Sequence, residues 1–350
     1  MTKISPEPLA APVRITDLGE LLAGLPVFFG FRPTDSMVVI CLEGGRGSVG
    51  FRLRVDLPPA DLCDQLADYL CDVLRRNDAT DVIIVACSDA PDVADPAVAA
   101  LRRRFRSAGI DVREAVRCTD RRFWSYVCDD PVCCPPEGRP FDADASRLVA
   151  EAVFAGMEVV ADRESLAARV GPVDGARRDR MRDATAAESA LLLRALDGRD
   201  PATMQHDPDL VTEGARRVRG VVDAAVAEPD RPLSDADAAI LSVWCSLDVV
   251  RDDTWSRIDV DNAADQLRIW AAAARLVTPP YEAAVLGIAG FSAWLSGDGA
   301  LAWCAIERAD QIGPDEPLVD RLRTVLLTAT PPSHWVSPSG ESVWRAIETG

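Results

Sequence analysis

Residues 81–118 read DVIIVACSDAPDVADPAVAALRRRFRSAGIDVREAVRC, and this stretch decides the fold. Asp81–Cys87 is apolar at successive positions, so both of its faces seek burial, as in a central parallel strand. Val98, Leu101, Phe105 and Ala108 then recur at helical spacing. Asp95–Pro96 has the chemistry of a helix cap and first turn, and Gly109 that of a stop. Ile110–Cys118 is a second strand. Strand, helix and strand make a βαβ unit with a right-handed crossover. The N-terminal part is therefore expected to be an α/β domain with a mixed sheet.

The neighbouring segments extend this picture. DLGELLAGLPVFFGF is helical in pattern and is broken by Pro33. Ser36–Leu42 is a continuous apolar strand. Val49–Val55 alternates, with Val49, Phe51, Leu53 and Val55 on one side and Arg52 and Arg54 on the other. The glycine-rich EGGRGS between them suits a hairpin connection. A helix starting at Pro58–Pro59 carries Leu62, Leu66, Leu70 and Val73 as its apolar stripe. Arg122–Cys128 is the last strand. Beyond about residue 150 the patterns are helical, with Ser234 and Asp237 forming nearly a capping box. The expected organisation is an α/β domain over 1–160, a helical linker region over 161–230 and an α-helical domain over 231–350. Ala302, Ile306, Ala309 and Pro314 follow the second helix of a tetratricopeptide (TPR) repeat, so a TPR-like helix pair is expected there.

Composition removes many chemistries. The chain has 350 residues and a formal net charge of −18, which repels phosphate backbones and anionic lipid, so neither nucleic acid nor membrane is an expected partner. Lys3 is the sole lysine, which leaves the folded body without a Schiff-base group or a phosphate-loop lysine. Two histidines, His206 and His334, are too few for a histidine-built metal centre. Asp17 and Glu20 precede the first apolar run, unlike a signal peptide, and the run Ala283–Leu295 is too short to span a bilayer. A cytoplasmic protein with reduced thiols is expected.

Two groups of residues remain as site candidates. Ligands of open α/β sheets favour the carboxyl ends of parallel strands. Those ends carry Cys87–Ser88–Asp89 and Cys118–Thr119–Asp120. Asp35, Asp89, Asp120 and Glu137 are candidate general bases or cation ligands, with Arg32 holding an anionic substrate. The second group is Cys128, Cys133 and Cys134, in CDDPVCCPPEG. Thiolates suit zinc, yet C-x4-C-C is not a standard spacing, and adjacent side chains are expected to point apart. A stiff proline loop with packed, reduced thiols, a disulfide or redox pair, and a metal site all stay open. No organic cofactor is expected.

Taken together, LLAGLPVFFGFRPTDSMVVI, VGFRLRVDLP, RFWSYVCDDPVCCPPEG, VRDDTW and WLSGDGALAWCAIERA resemble an actinobacterial family, domain of unknown function 4192. The resemblance implies no activity, cofactor or catalytic residue that carries over. The expected function is binding or regulation, with a small molecule or a protein as partner. A carboxylate and arginine hydrolase or transferase, or a cysteine-loop zinc or thiol sensor, is the alternative.

Overall fold

In a computed structural model the apolar run Asp81–Cys87 is the strand β3, third in a mixed sheet. The structure describes residues 17–43, 48–143, 146–154, 159–197, 207–313 and 316–338. The chain divides into two compact units, residues 1–163 and 164–350.

The first unit holds β1 (Ser36–Glu43), β2 (Ser48–Asp56), β3, β4 (Asp111–Cys118), β5 (Arg122–Ser125) and β6 (Arg139–Pro140), in the order β2-β1-β3-β4-β5-β6. Among the described strand pairings, β3 with β4 is parallel and the others are antiparallel. Four helices flank the sheet: α1 (Leu18–Phe29), α2 (Cys63–Arg76), α3 (Pro91–Ser107) and α4 (Arg147–Phe154). The two-residue alternation of a strand divides β3 between two cores. Val82, Ile84 and Ala86 pack with Leu70 and Leu74 of α2 and Leu101 and Phe105 of α3. Ile83, Val85 and Cys87 pack with Leu21 and Leu25 of α1 and Leu148 of α4. Each large apolar side chain buried this way contributes about 1.5–3 kcal/mol.

Several local expectations are corrected. Helix α3 begins at Pro91, one turn before Asp95. Pro91 suits the first helical position, and Asp95 instead accepts a 2.5 Å hydrogen bond from the Tyr126 hydroxyl. Leu62 is exposed, because it lies in a short 3-10 turn over Ala60–Leu62 that precedes α2; the buried residues of α2 are Cys63, Ala67, Cys71 and Leu74 together with the expected Leu70 and Val73. Val49 lies on the opposite face from Phe51, Leu53 and Val55. Ile40 faces Arg52 while Leu42 faces Val49, so the one residue between them on β1, Cys41, opposes two of β2. That bulge at Gly50–Phe51 reverses the alternation. Arg52, which is exposed, and the half-buried Arg54 lay their guanidinium groups over the rings of Phe28 and Phe31. β5 stops at Ser125, short of Cys128. The predicted hairpin connection at 44–47 lies outside the described residues, as does His206.

The described part of the second unit is helical. It comprises α5 (Arg163–Ala167), α6 (Ala176–Leu196), α7 (Pro208–Ala227), α8 (Asp235–Trp244), α9 (Asp248–Ser256), α10 (Ala263–Leu276), α11 (Glu282–Leu295), α12 (Gly299–Ile312) and α13 (Pro317–Leu327). Ser234 caps α8 by accepting from the Asp237 amide at 3.1 Å, as its sequence suggests. Helix α11 is buried at nearly every position and packs against α10, α12 and α13. Trp244 and Trp270 are buried fillers between helices. Ala302, Ile306 and Ala309 are buried on α12, and Pro314 lies outside the described residues. No described helix is long and apolar enough to cross a membrane.

Gly290 marks the tightest approach to α11. A Cβ there would lie 2.7 Å from Leu322 Cδ2 and 3.2 Å from Ala305 Cβ. Gly290→Val is expected to destabilise the helical unit by about 1–3 kcal/mol through overpacking. Urea unfolding followed by tryptophan fluorescence checks this, and an unchanged midpoint would contradict the packing described.

Candidate functional site

The direction of β1 assembles the first candidate site. Because β1 runs antiparallel to β3, its first residue, Ser36, lies opposite Cys87 at the end of β3. Cys87 in turn pairs with Cys118 at the end of β4, and Cys118 with Phe123 on β5. One sheet edge thus gathers the α1–β1 loop, the β3–α3 loop, the β4–β5 turn and the segment after β6. A cavity of about 270 Å³ opens there. Arg32, Asp35, Ser88, Asp89, Thr119 and Asp120 supply its polar lining. Leu22, Leu25 and Pro26 of α1 and Phe141 supply an apolar wall. Pro26 also has no N–H to give the Leu22 carbonyl, which removes one helical hydrogen bond beside the cavity.

The polar residues are held by hydrogen bonds. Asp35 has a φ of 43°, a left-handed conformation that aspartate tolerates better than most residues. Its carbonyl accepts from the Leu57 amide at 2.9 Å, and its Oδ1 accepts from Ser88 Oγ at 3.0 Å. Ser88 Oγ also accepts from the amide of Ala90, the residue that caps α3, at 3.2 Å. The Ser88 amide donates to the Cys118 carbonyl at 3.0 Å. Arg32 reaches Asp120 at 3.1 Å. Behind this lining Arg117 donates to the Ser88 carbonyl at 3.2 Å, and its guanidinium lies 3.9 Å from the centroid of the Trp124 ring.

Cys87 and Cys118 line the same cavity with their sulfurs 3.6 Å apart. The hydrogen bond that Cys118 donates to Cys87, and then burial, hold its thiol well above the ordinary thiol range. A neutral thiol is a poor nucleophile, so Cys118 does not suit covalent catalysis.

Of the carboxylates expected from sequence, Asp35, Asp89 and Asp120 share this cavity with Arg32. Glu137 does not; it is exposed on the β5–β6 loop, with its carbonyl accepting from Arg122. Two contributors had no clear sequence signal. Arg117 is a buried arginine on an otherwise apolar stretch of β4, Ala115–Cys118, and Phe141 follows a strand of two residues.

The β5–β6 loop carries the second candidate site. Cys128, Cys133 and Cys134 do not point apart, and none of the three is buried. Their sulfurs all lie within 4.8 Å of one another. The turn explains this. Ser125 Oγ accepts from the amides of Val127 and Cys128 at 3.1 Å each. The Cys134 amide donates to the Asp130 carbonyl at 2.7 Å, and Asp130 Oδ1 accepts from the Val132 amide at 2.9 Å. The chain between Asp130 and Cys134 is thereby wound into one tight turn, which brings adjacent side chains to the same side. Desolvation in the loop, followed by hydrogen bonding to Cys128 and Cys133, pushes the Cys134 thiol up to about 12. Arg139 Nη1 approaches Cys133 Sγ at 3.9 Å.

The loop is anchored on its own strands. Trp124 Nε1 donates to the Pro136 carbonyl at 3.0 Å, and Arg122 Nη1 to the Gly138 carbonyl at 2.7 Å. Gly138 has a φ of 81°, and a Cβ there would meet Trp124 Cε2 at 2.5 Å. Gly138→Ala is expected to loosen the loop at a cost of about 1–3 kcal/mol. Hydrogen exchange should quicken across 128–139 and stay unchanged in β3; uniform protection would refute the anchoring.

Two other distinctive segments have structural roles. In VRDDTW, Arg251 is buried between Asp248 at 2.8 Å and Glu316 at 2.9 Å, and the fully buried Asp253 pairs with Arg257 at 2.6 Å. In SGDG, Asp298 caps α12 by accepting from the Leu301 amide at 2.9 Å.

No curated protein and no solved structure matches the chain. The family model described as domain of unknown function (DUF4192) matches residues 19–333, and the chain belongs to that family.

Proposed function

We propose that this chain is a cytoplasmic binding protein whose α/β unit takes a small molecule bearing a cationic group at the carboxyl ends of β3 and β4. The observation that carries this reading is the convergence of Arg32, Asp35, Asp89 and Asp120, from three separate loops, on one cavity. Three carboxylates stand against one guanidinium, and that guanidinium is engaged by Asp120. The remaining carboxylates complement an amine or guanidine. The apolar wall complements a hydrocarbon body. The volume, about 270 Å³, falls just below the usual range of ligand pockets, about 300–1,000 Å³, and suits a small ligand.

A second reading, a carboxylate hydrolase or transferase, draws support from the same three aspartates. Acid–base or cation-assisted chemistry needs carboxylates in one concave place. Turnover separates the two readings: a ligand returned unchanged belongs to the first, and a ligand consumed belongs to the second.

Benzylamine and benzoate, which share a body and differ in charge, test the binding reading. Benzylamine should shift the backbone amide signals of Asp35, Ser88 and Thr119 in protein NMR spectra. Asp35→Asn and Asp89→Asn should each weaken it roughly tenfold, about 1.4 kcal/mol, and Glu137→Gln should leave it unchanged. Preference for benzoate, or shifts confined to other surfaces, would overturn the reading.

A further inference from the structure

The ten cysteines fall into two populations. Cys41, Cys63, Cys71, Cys87, Cys118, Cys245 and Cys304 are buried. The remaining three are the half-buried Cys128 and Cys134 and the exposed Cys133, and these are the three that converge. Burial explains a cysteine as a small apolar filler, but it does not explain three thiols gathered at a surface turn.

We propose that Cys128, Cys133 and Cys134 form a three-thiolate site for a zinc-class cation. Three observations point the same way. First, the sulfurs lie within 4.8 Å of one another. Three thiolates at about 2.3 Å from a tetrahedral zinc stand about 3.8 Å apart, so closing the site needs a contraction of about 1 Å or less. Second, the backbone of the turn is already set by the Ser125 and Asp130 hydrogen bonds, so binding orders little more chain. Third, Zn²⁺ with three thiolates carries a net charge of −1, and the Arg139 guanidinium is already at Cys133 Sγ to offset it.

Among the described residues no further histidine, cysteine or carboxylate joins the cluster. The fourth position of the cation is therefore directed to solvent, and water is assigned there. That makes the site an open one, unlike the closed four-ligand sites of purely structural zinc. Metal loading would replace three thiol protons by one cation and would tie the ends of the turn together.

The test uses the full chain, reduced and free of oxygen, titrated with Co²⁺ and then with Zn²⁺. Expected are near-ultraviolet thiolate-to-cobalt charge-transfer bands that saturate at one equivalent and are displaced by one equivalent of Zn²⁺. Cys128→Ser, Cys133→Ser and Cys134→Ser should each weaken the bands, and the triple variant should abolish them. Cys63→Ser, which keeps a donor for the Pro59 carbonyl, should leave them intact. Arg139→Gln should lower Zn²⁺ affinity roughly 10- to 100-fold while keeping the thiolate bands. The wild-type titration does not depend on any variant folding. Absent bands, bands that survive the triple variant, or closure of the loop by a disulfide in place of metal uptake would each overturn the proposal.

Discussion

The strand β3 has no solvent face, and the rest of the first unit follows from that constraint. Val82, Ile84 and Ala86 need one cover, and Ile83, Val85 and Cys87 need another. A single helix layer satisfies only half of the strand, so helices pack on both sides of the sheet: α2 and α3 on one, α1 and α4 on the other. With both faces covered, the middle of the sheet is closed to any ligand. Polar chemistry is confined to the strand ends, where the backbone leaves the sheet. The pocket lies at one such end because burial leaves it no other place on these strands.

A βαβ unit alone would supply only the loops after β3 and β4. The antiparallel pairing of β1 brings in the third. Placing Ser36 opposite Cys87 puts Arg32 and Asp35 beside Ser88 and Asp120, and the 3.0 Å bond from Ser88 to Asp35 joins residues 53 apart in sequence. The bend at Asp35 is held at both ends, by its carbonyl to Leu57 and its carboxylate to Ser88. Ser36, fully buried, accepts from Arg54 Nε at 2.9 Å and donates to the Thr34 carbonyl at 2.5 Å. The loop is thus built into the sheet edge by groups of three different elements.

What was legible in the sequence depended on range. β3 runs Asp81–Cys87, as its apolar run predicts, because double-sided burial is a local signal. The stop at Gly109, with a φ of 77°, is local too. The start of α3 was misplaced because two proline signals compete, and Pro91 comes first. Val49 was misplaced because a bulge depends on the pairing partner, which is not written in β2 itself. The pocket carboxylates were legible individually, from their place at strand ends. Their convergence was not, since it rests on the direction in which β1 enters the sheet. Glu137 resembled them in chemistry but belongs to a hairpin loop. The directions of the adjacent cysteine side chains were not legible, because the expectation of opposed neighbours describes extended chain, and the Asp130–Cys134 turn is not extended.

The near absence of lysine acquires a structural meaning at Arg117. A guanidinium presents a flat face and an edge of donors at the same time, whereas an ammonium has only donors. Arg117 uses both. Its face stacks 3.9 Å from the Trp124 ring centroid, and its edge donates to the Ser88 carbonyl in the pocket lining. Trp124, held from one side by this stack, gives its indole N–H to Pro136 in the cysteine loop and closes over Gly138 from the other. The pocket lining and the cysteine turn therefore share one support, a single cation–π stack between neighbouring strands. A lysine at 117 could keep the carbonyl contact or sit over the indole, but it lacks the planar fork that does both. Arg117 thus adds to the bonds that Ser88 makes with Asp35 and Cys118, and through Trp124 it touches the side chain that anchors the loop at Pro136.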